Sequence, residues 1–102
     1  MTSHKDEVLD ELEIKTEIAL EKIGLRAETH AKKKCPVDTG RLRNSISHTQ
    51  SGDTAYIGTN VEYAQDVEFG TSKQKAQPYL KPAVTNHVDE YIRIVKSTLK
   101  EG

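Results

Sequence analysis

Apolar residues recur at helical spacing through the first third of the chain. At 100° per residue, Val8, Leu9, Leu12, Ala19, Leu20, Ile23, Ala27 and Ala31 fall on one broad stripe. The pattern predicts one helix over residues 3–34. Ser3 with Asp6 forms a variant of the capping box, and acids crowd the first turns, where the helix dipole favours them. Lys32, Lys33 and Lys34 stand at the opposite end, and Pro36 stops the helix. Ile14, Ile18 and Leu25 lie more than about 100° from the centre of the stripe. They form a second apolar face, which predicts a subunit interface at these three positions. A helix over 3–34 spans about 48 Å, whereas a compact domain of ~100 residues has a radius of gyration of about 13 Å. The helix should therefore overhang its own domain or bend near Gly24.

Beyond Pro36 the pattern shortens. Asp38 or Thr39 can N-cap a short helix that contains Leu42. Ile46 to Gln50 and Thr54 to Gly58 read as two strands about the turn Ser51-Gly52-Asp53. Residues 61–69 suggest a second short helix, with Val61, Ala64, Val67 and Phe69 for packing and Gly70 as its stop. Residues 71–77 read as an exposed, mobile loop, and Pro78 to Leu80 as a further short strand. Pro82 suits the first turn of a last helix over about 82–99. Val84, Val88, Tyr91, Ile92, Val95 and Leu99 give that helix an apolar stripe, expected to pack on the sheet. The fold class that results is α+β in one domain over 1–102, with an α+β body at about 36–81.

Composition narrows the function. Leu, Ile, Val and Phe supply 22 of 102 residues, close to the fraction of about 20% below which chains tend to stay unfolded, and the net charge is only −1. The core should be thin, and sharing it with neighbouring subunits is one way to complete it. Residues 1–25 carry a net charge of −4 and residues 26–50 a net charge of +4. Such a dipolar pair can guide head-to-tail contact between copies, or be two solvated faces. No apolar run approaches the ~20 residues of a membrane span, and the acidic start lacks a secretory h-region. Cys35 is the single cysteine, so a disulfide framework and a thiolate zinc site are excluded and a reducing cytoplasm is expected.

Candidate chemistry is sparse. His4, His30, His48 and His87 show no ligand spacing on a helix, and no phosphate loop, dinucleotide fingerprint or nucleophile elbow is present. Cys35 beside three lysines reads as a small packed residue before proline. No enzyme, metal or cofactor is expected. Arg26, Lys32, Lys33, Lys34, Arg41 and Arg43 form a basic set that could meet phosphates or an acidic partner. Four Tyr, one Phe and no Trp give little support to base stacking, so sequence-specific nucleic-acid binding is not expected.

Three blocks then stand out in order: CPVDTGRLRNSI, YAQDVEFGTSK and AQPYLKPAV. Together they resemble the gene-product-ten-like tail components of long-tailed siphophages and related prophages. The positions that carry the resemblance in the first block are Pro36, Asp38, Thr39, Gly40, Leu42, Ser45 and Ile46. In the second they are Tyr63, Ala64, Val67, Glu68, Phe69, Gly70 and Thr71, and in the third Gln77, Pro78, Leu80, Pro82 and Ala83. Tyr79 stands where the family more often has phenylalanine, and Cys35 replaces a small residue. The family has no catalytic residues to carry over. Physically, these residues cap, turn and stiffen the chain; Glu68 is the exception, a carboxylate between Val67 and Phe69 that is expected to form an ion pair with Arg41 or Arg43 within or between subunits.

The resemblance implies a structural protein of the head–tail connector, a neck or tail-completion component. Such a protein would bind head-completion or connector proteins and tail proteins, and form a homo-oligomeric ring around the DNA path. It would reside in the virion, after assembly in the host bacterial cytoplasm. The alternative is a small regulatory binding module that uses the basic 26–43 segment on nucleic acid or an acidic protein.

Overall fold

The structure is a computed structural model that describes residues 4–36 and 40–100, with side chains from residue 11 onward. The caps expected at Ser3, Asp38 and Thr39, and the packing of Val8 and Leu9, lie outside the described residues. The fold is α+β. Helix α1 spans His4–Lys34 and α2 Gly40–Ser45; strands β1 (Ser47–Ser51) and β2 (Thr54–Gly58) follow; then come α3 (Ala64–Phe69), α4 (Leu80–Thr85) and α5 (Val88–Lys100). The molecule is slender, with extents of 62 × 25 × 20 Å and a radius of gyration of 17.1 Å.

Helix α1 is the spine, and the hairpin, α4 and α5 all pack on it. Its buried face is made of small residues: Ala19, Ala27 and Ala31 are covered, while Leu12 stays about half exposed. Alanines bring neighbouring elements close but contribute little buried area, so the core is thin. The helix passes through Gly24 without a break. A Cβ there would stand 2.8 Å from the His48 Cδ2, so this glycine makes room for β1 and is not a hinge.

His48 fastens β1 to α1. Its Nδ1 lies 2.9 Å from Glu28 Oε1 and its Nε2 2.6 Å from Glu21 Oε1. Hydrogen bonds to Glu21 and then Glu28 raise the imidazole pKa above its usual 6.5, against the opposing effect of burial. A histidine raised on folding stabilises fully below its unfolded pKa and loses that contribution as pH rises through the folded one. Urea denaturation between pH 5.5 and 8.5 should therefore show stability falling on the alkaline side by on the order of 1 kcal/mol, Glu21 being well solvated. His48→Gln should remove that part of the slope; an unchanged slope would show that this tie does not contribute.

The hairpin pairs Ser47 with Gly58 and Ser51 with Thr54, closed by Gly52 at φ 59°. Ile46, expected to open the first strand, is instead a core residue just before it. With Leu42, Val61, Val67, Tyr79 and Ala83 it packs against Ala31 and Cys35 of the spine. Tyr79 is wholly covered, and its hydroxyl has no hydrogen-bond partner among the described residues. Burial pushes its pKa up to about 12.

Three expectations are corrected. No strand forms at Pro78–Leu80, because Leu80 already opens α4, and the sheet has two strands. The helix expected over 82–99 is two helices, broken at Asn86 and His87, with the Tyr91 hydroxyl donating back to the Ala83 carbonyl across the break. Finally, α5 packs along α1 and not on the sheet. One face of the sheet is taken by α1, and the exposed face carries Ser47, Thr49, Ser51 and Thr54 beside Tyr56, a mostly polar surface that gives an apolar helix little to pack on. The helix buries Tyr91 and Thr98 against the spine, and Val84, Val88, Ile92 and Leu99 remain about half exposed.

Candidate assembly surface

The three sequence blocks meet around α3 and α4. Leu42 and Ile46 of the first block are buried. The Ser45 hydroxyl donates to the Leu42 carbonyl and also meets the Thr59 hydroxyl, which fixes the end of α2. Pro36 stands two residues past the end of α1, and Gly40 opens α2. In the second block Val67 enters the core, while Tyr63 and Ala64 pack against its edge. Phe69, expected to pack, is 75% exposed instead, because the last turn of α3 points its final residue away from the spine.

Glu68 binds the second block to the third. Its carboxylate is buried and accepts the backbone N–H groups of Tyr79, Leu80 and Lys81 at 3.0, 2.9 and 3.2 Å. These are orphan donors at the start of α4, where Tyr79 supplies no side-chain cap. The expected ion pair of Glu68 with Arg41 or Arg43 is not formed within the chain, since three backbone N–H groups take up its carboxylate. Arg41 holds Glu62 instead, Nη1 and Nη2 standing 3.1 and 3.2 Å from its two carboxylate oxygens, with the guanidinium 5.7 Å from the centre of the Tyr63 ring. The contact lowers the Glu62 pKa and raises that of Arg41.

Residues 71–75 are exposed, as the polar sequence suggested, but their base is tied. Thr71 and Gln74 exchange backbone hydrogen bonds, and the Gln77 N–H donates to the Val67 carbonyl at 2.8 Å. Gly70 makes the reversal at φ 77°. Pro78 leads straight into Tyr79 and the capped α4, whose Pro82 needs no N–H partner in the first turn and whose Ala83 is buried.

Three apolar surfaces are left uncovered. On α1, Ile14, Ile18 and Leu25 are 57%, 44% and 52% exposed and lie within about 40° of one another around the helix, forming a ridge. Glu11 and Glu17 stand on its two sides. A second surface is the stripe Val84, Val88, Ile92 and Leu99. The third is a hollow of about 410 Å3 beside Phe69, lined also by Ala64, Gln65, Leu80 and Lys81.

The basic set is not one free face. Arg26 binds Glu90 at 2.6 Å, Lys32 binds Glu28 at 3.3 Å, and Arg41 binds Glu62. Lys33 and Lys34 at the end of α1 and Arg43 in α2 are exposed and make no ion pair with a described residue.

One cluster went unseen in the sequence, because its members are far apart in the chain. The His30 and His87 rings stack with centroids 3.5 Å apart and planes 3° apart, beside Glu90. Glu90 Oε2 lies 2.8 Å from His30 Nε2 and 3.6 Å from His87 Nδ1. Hydrogen bonds from Arg26 and His30 lower the Glu90 pKa to about 2. Ring lone pairs lie in the ring planes, so a cation in the plane of one ring would lie about 3.5 Å out of the plane of the other and off the direction of its lone pair. The cluster as arranged ties α5 to α1 and does not converge on one ion. Among the described residues, no helix is long and apolar enough to cross a membrane.

The described residues form a slender α+β module whose charged clusters tie its elements together, and which leaves several large apolar side chains exposed beside a thin core. The family model described as "Bacteriophage HK97-gp10, putative tail-component" matches residues 1–70. The chain belongs to that family, and its role is that of a phage structural protein. The comparisons with curated proteins and with solved structures gave no match.

Proposed function

We propose that the chain is a neck or tail-completion protein, which joins the filled head to the tail around the DNA channel as a homo-oligomeric ring. The observation that carries this reading is the ridge Ile14, Ile18 and Leu25, uncovered on a spine that runs the length of the molecule. Three large aliphatic side chains in register on one helix face are stabilised by a partner and gain nothing from water. The work is mechanical: complementary surfaces that neither leak nor jam the genome, with no bond made or broken and no cofactor needed. The partners are head-completion or connector proteins and tail proteins in the virion, assembled in the host cytoplasm. Lys33, Lys34 and Arg43 are the cations left to face passing DNA phosphates, without reading sequence. The blocks around α3 and α4 hold the fold that presents these surfaces.

The test is a phage that encodes Ile14→Ser, Ile18→Ser and Leu25→Ser together. The purified variant should stay folded by circular dichroism, because none of the three is buried. Electron microscopy of lysates should show filled heads and separate tails, with infectious titre down by orders of magnitude. Normal particles would overturn the proposal, and so would an unfolded variant, which would place the three residues in the core.

A further inference from the structure

We infer that the α1 ridge of one copy docks on the α5 stripe of the next, in a head-to-tail contact between copies of this chain. The inference rests on the assembly role proposed above and names the partner of its ridge. Both surfaces are helix faces with aliphatic residues at i, i+4 and i+11 spacing: Ile14, Ile18 and Leu25 on one, Val88, Ile92 and Leu99 on the other. Val84 of α4 extends the second.

Their placement favours a repeating contact. Around α5, Glu90, Arg93 and Ser97 lie on one side of the buried Tyr91, and Val88, Ile92 and Leu99 lie about 60–100° to the other. The first side lines a hollow with Lys22 of α1, and Lys22 lies between the ridge and the line of contact with α5. From Val88 to Ile92 the stripe therefore faces the flank of the α1–α5 pair opposite to the ridge, while at the far end Leu99 shares a hollow with Glu11, Leu12 and Lys15 of α1. A molecule with two complementary patches on opposite flanks makes heterologous contacts, which close into a ring when the rotation allows. Pairing two ridges, or two stripes, would leave the other surface bare.

Charge points the same way. Along the ridge, residues 11–25 hold Glu11, Glu13, Glu17 and Glu21 against Lys15 and Lys22, with Glu11 3.6 Å from Lys15 and Glu21 2.6 Å from His48, so the acids outnumber the bases. The stripe is bordered by Lys81, Lys96 and Lys100, with Asp89 the one acid on that border. Acid-edged ridge and lysine-edged stripe attract one another, and two acid-edged ridges repel where their acidic turns meet.

Sedimentation of the purified full chain over rising concentration tests this. The wild type should form species larger than the monomer. Glu11→Lys with Glu17→Lys should weaken association about tenfold or more, and Lys81→Glu with Lys96→Glu should do the same. Mixing the two variants in equal amounts should restore association, since each supplies the surface that the other now matches. A wild type that stays monomeric to about 1 mM, roughly the weak limit for a specific contact, would overturn the inference. So would lysine reversals without effect, or a mixture that fails to recover. If the chain is monomeric while phage bearing the ridge variant still accumulate separate heads and tails, this contact falls and the proposed function stands.

Discussion

Glu68→Ala is expected to cost about 3 kcal/mol, a large share of the ~5–15 kcal/mol that holds a domain folded. The carboxylate is buried and serves three backbone N–H groups at once, those of Tyr79, Leu80 and Lys81. Alanine leaves all three without an acceptor; the buried Tyr79 N–H costs about 1–3 kcal/mol unpaired, whereas the part-buried Leu80 and Lys81 N–H groups stand beside the open hollow that Glu68 lines, where water offsets some of the loss. Partial relaxation of α4 keeps the sum below the upper limit. Glu68→Gln retains one acceptor oxygen but loses the charge and turns an NH2 group toward the donors, so it should fall between, at about 2 kcal/mol. Urea denaturation gives the order wild type, Gln, Ala. Hydrogen exchange separates this cause from a general loss of packing: the amides of Leu80 and Lys81 should lose protection in Glu68→Ala well before those of α1. A loss below 1 kcal/mol, or uniform exchange, would show that the carboxylate does not hold α4.

The cap explains what was legible in the sequence and what was not. Signals carried by neighbouring residues could be read. The spine showed in its apolar stripe and terminal lysines, the hairpin in its Gly52 turn, and α2 in Leu42 just past a capping pair. The three blocks were legible because each lies within about a dozen residues. Signals that need distant residues were lost. Glu68 looked like a surface carboxylate awaiting an arginine, since its partners are backbone amides 11 to 13 residues away. One clue was present: Gln77-Pro78-Tyr79 places no Ser, Thr, Asp or Asn before α4, so some other group had to cap it. The seat of α5 was lost for a related reason. Periodicity identifies an apolar face and assumes that it is buried. Here the spine offers alanines, Lys22 and Arg26, and α5 turns Tyr91, Glu90 and Thr98 toward them. The strongest apolar periodicity in the chain thus marks an outward face. In an assembly protein, a stripe that fits its own domain poorly is itself a functional signal.

The same latch sets the second large effect, at Gly70. Its backbone sits at φ 77° and ψ 173°, a conformation that is nearly confined to glycine. A Cβ there would also lie 2.7 Å from the Ala76 nitrogen and 2.9 Å from the Gln74 oxygen. Both are backbone atoms, fixed by the Thr71–Gln74 pairing and by the Gln77 N–H on Val67, so neither can step aside as a side-chain tip would. Gly70→Ala should therefore cost about 3 kcal/mol or more, conformational strain and steric displacement together. Gly52→Ala is the control. That residue also has positive φ, at 59°, but a Cβ there meets nothing within 4 Å. Its cost should be only about 1–2 kcal/mol, the left-handed penalty alone. Because Gly70 positions the chain that returns to Glu68, the double variant Gly70→Ala with Glu68→Ala should cost less than the two single losses added. Urea denaturation of the wild type, the three single variants and the double variant decides it: full additivity would mean that turn and cap are independent, and equal costs at Gly70 and Gly52 would mean that the close approach of Ala76 imposes nothing.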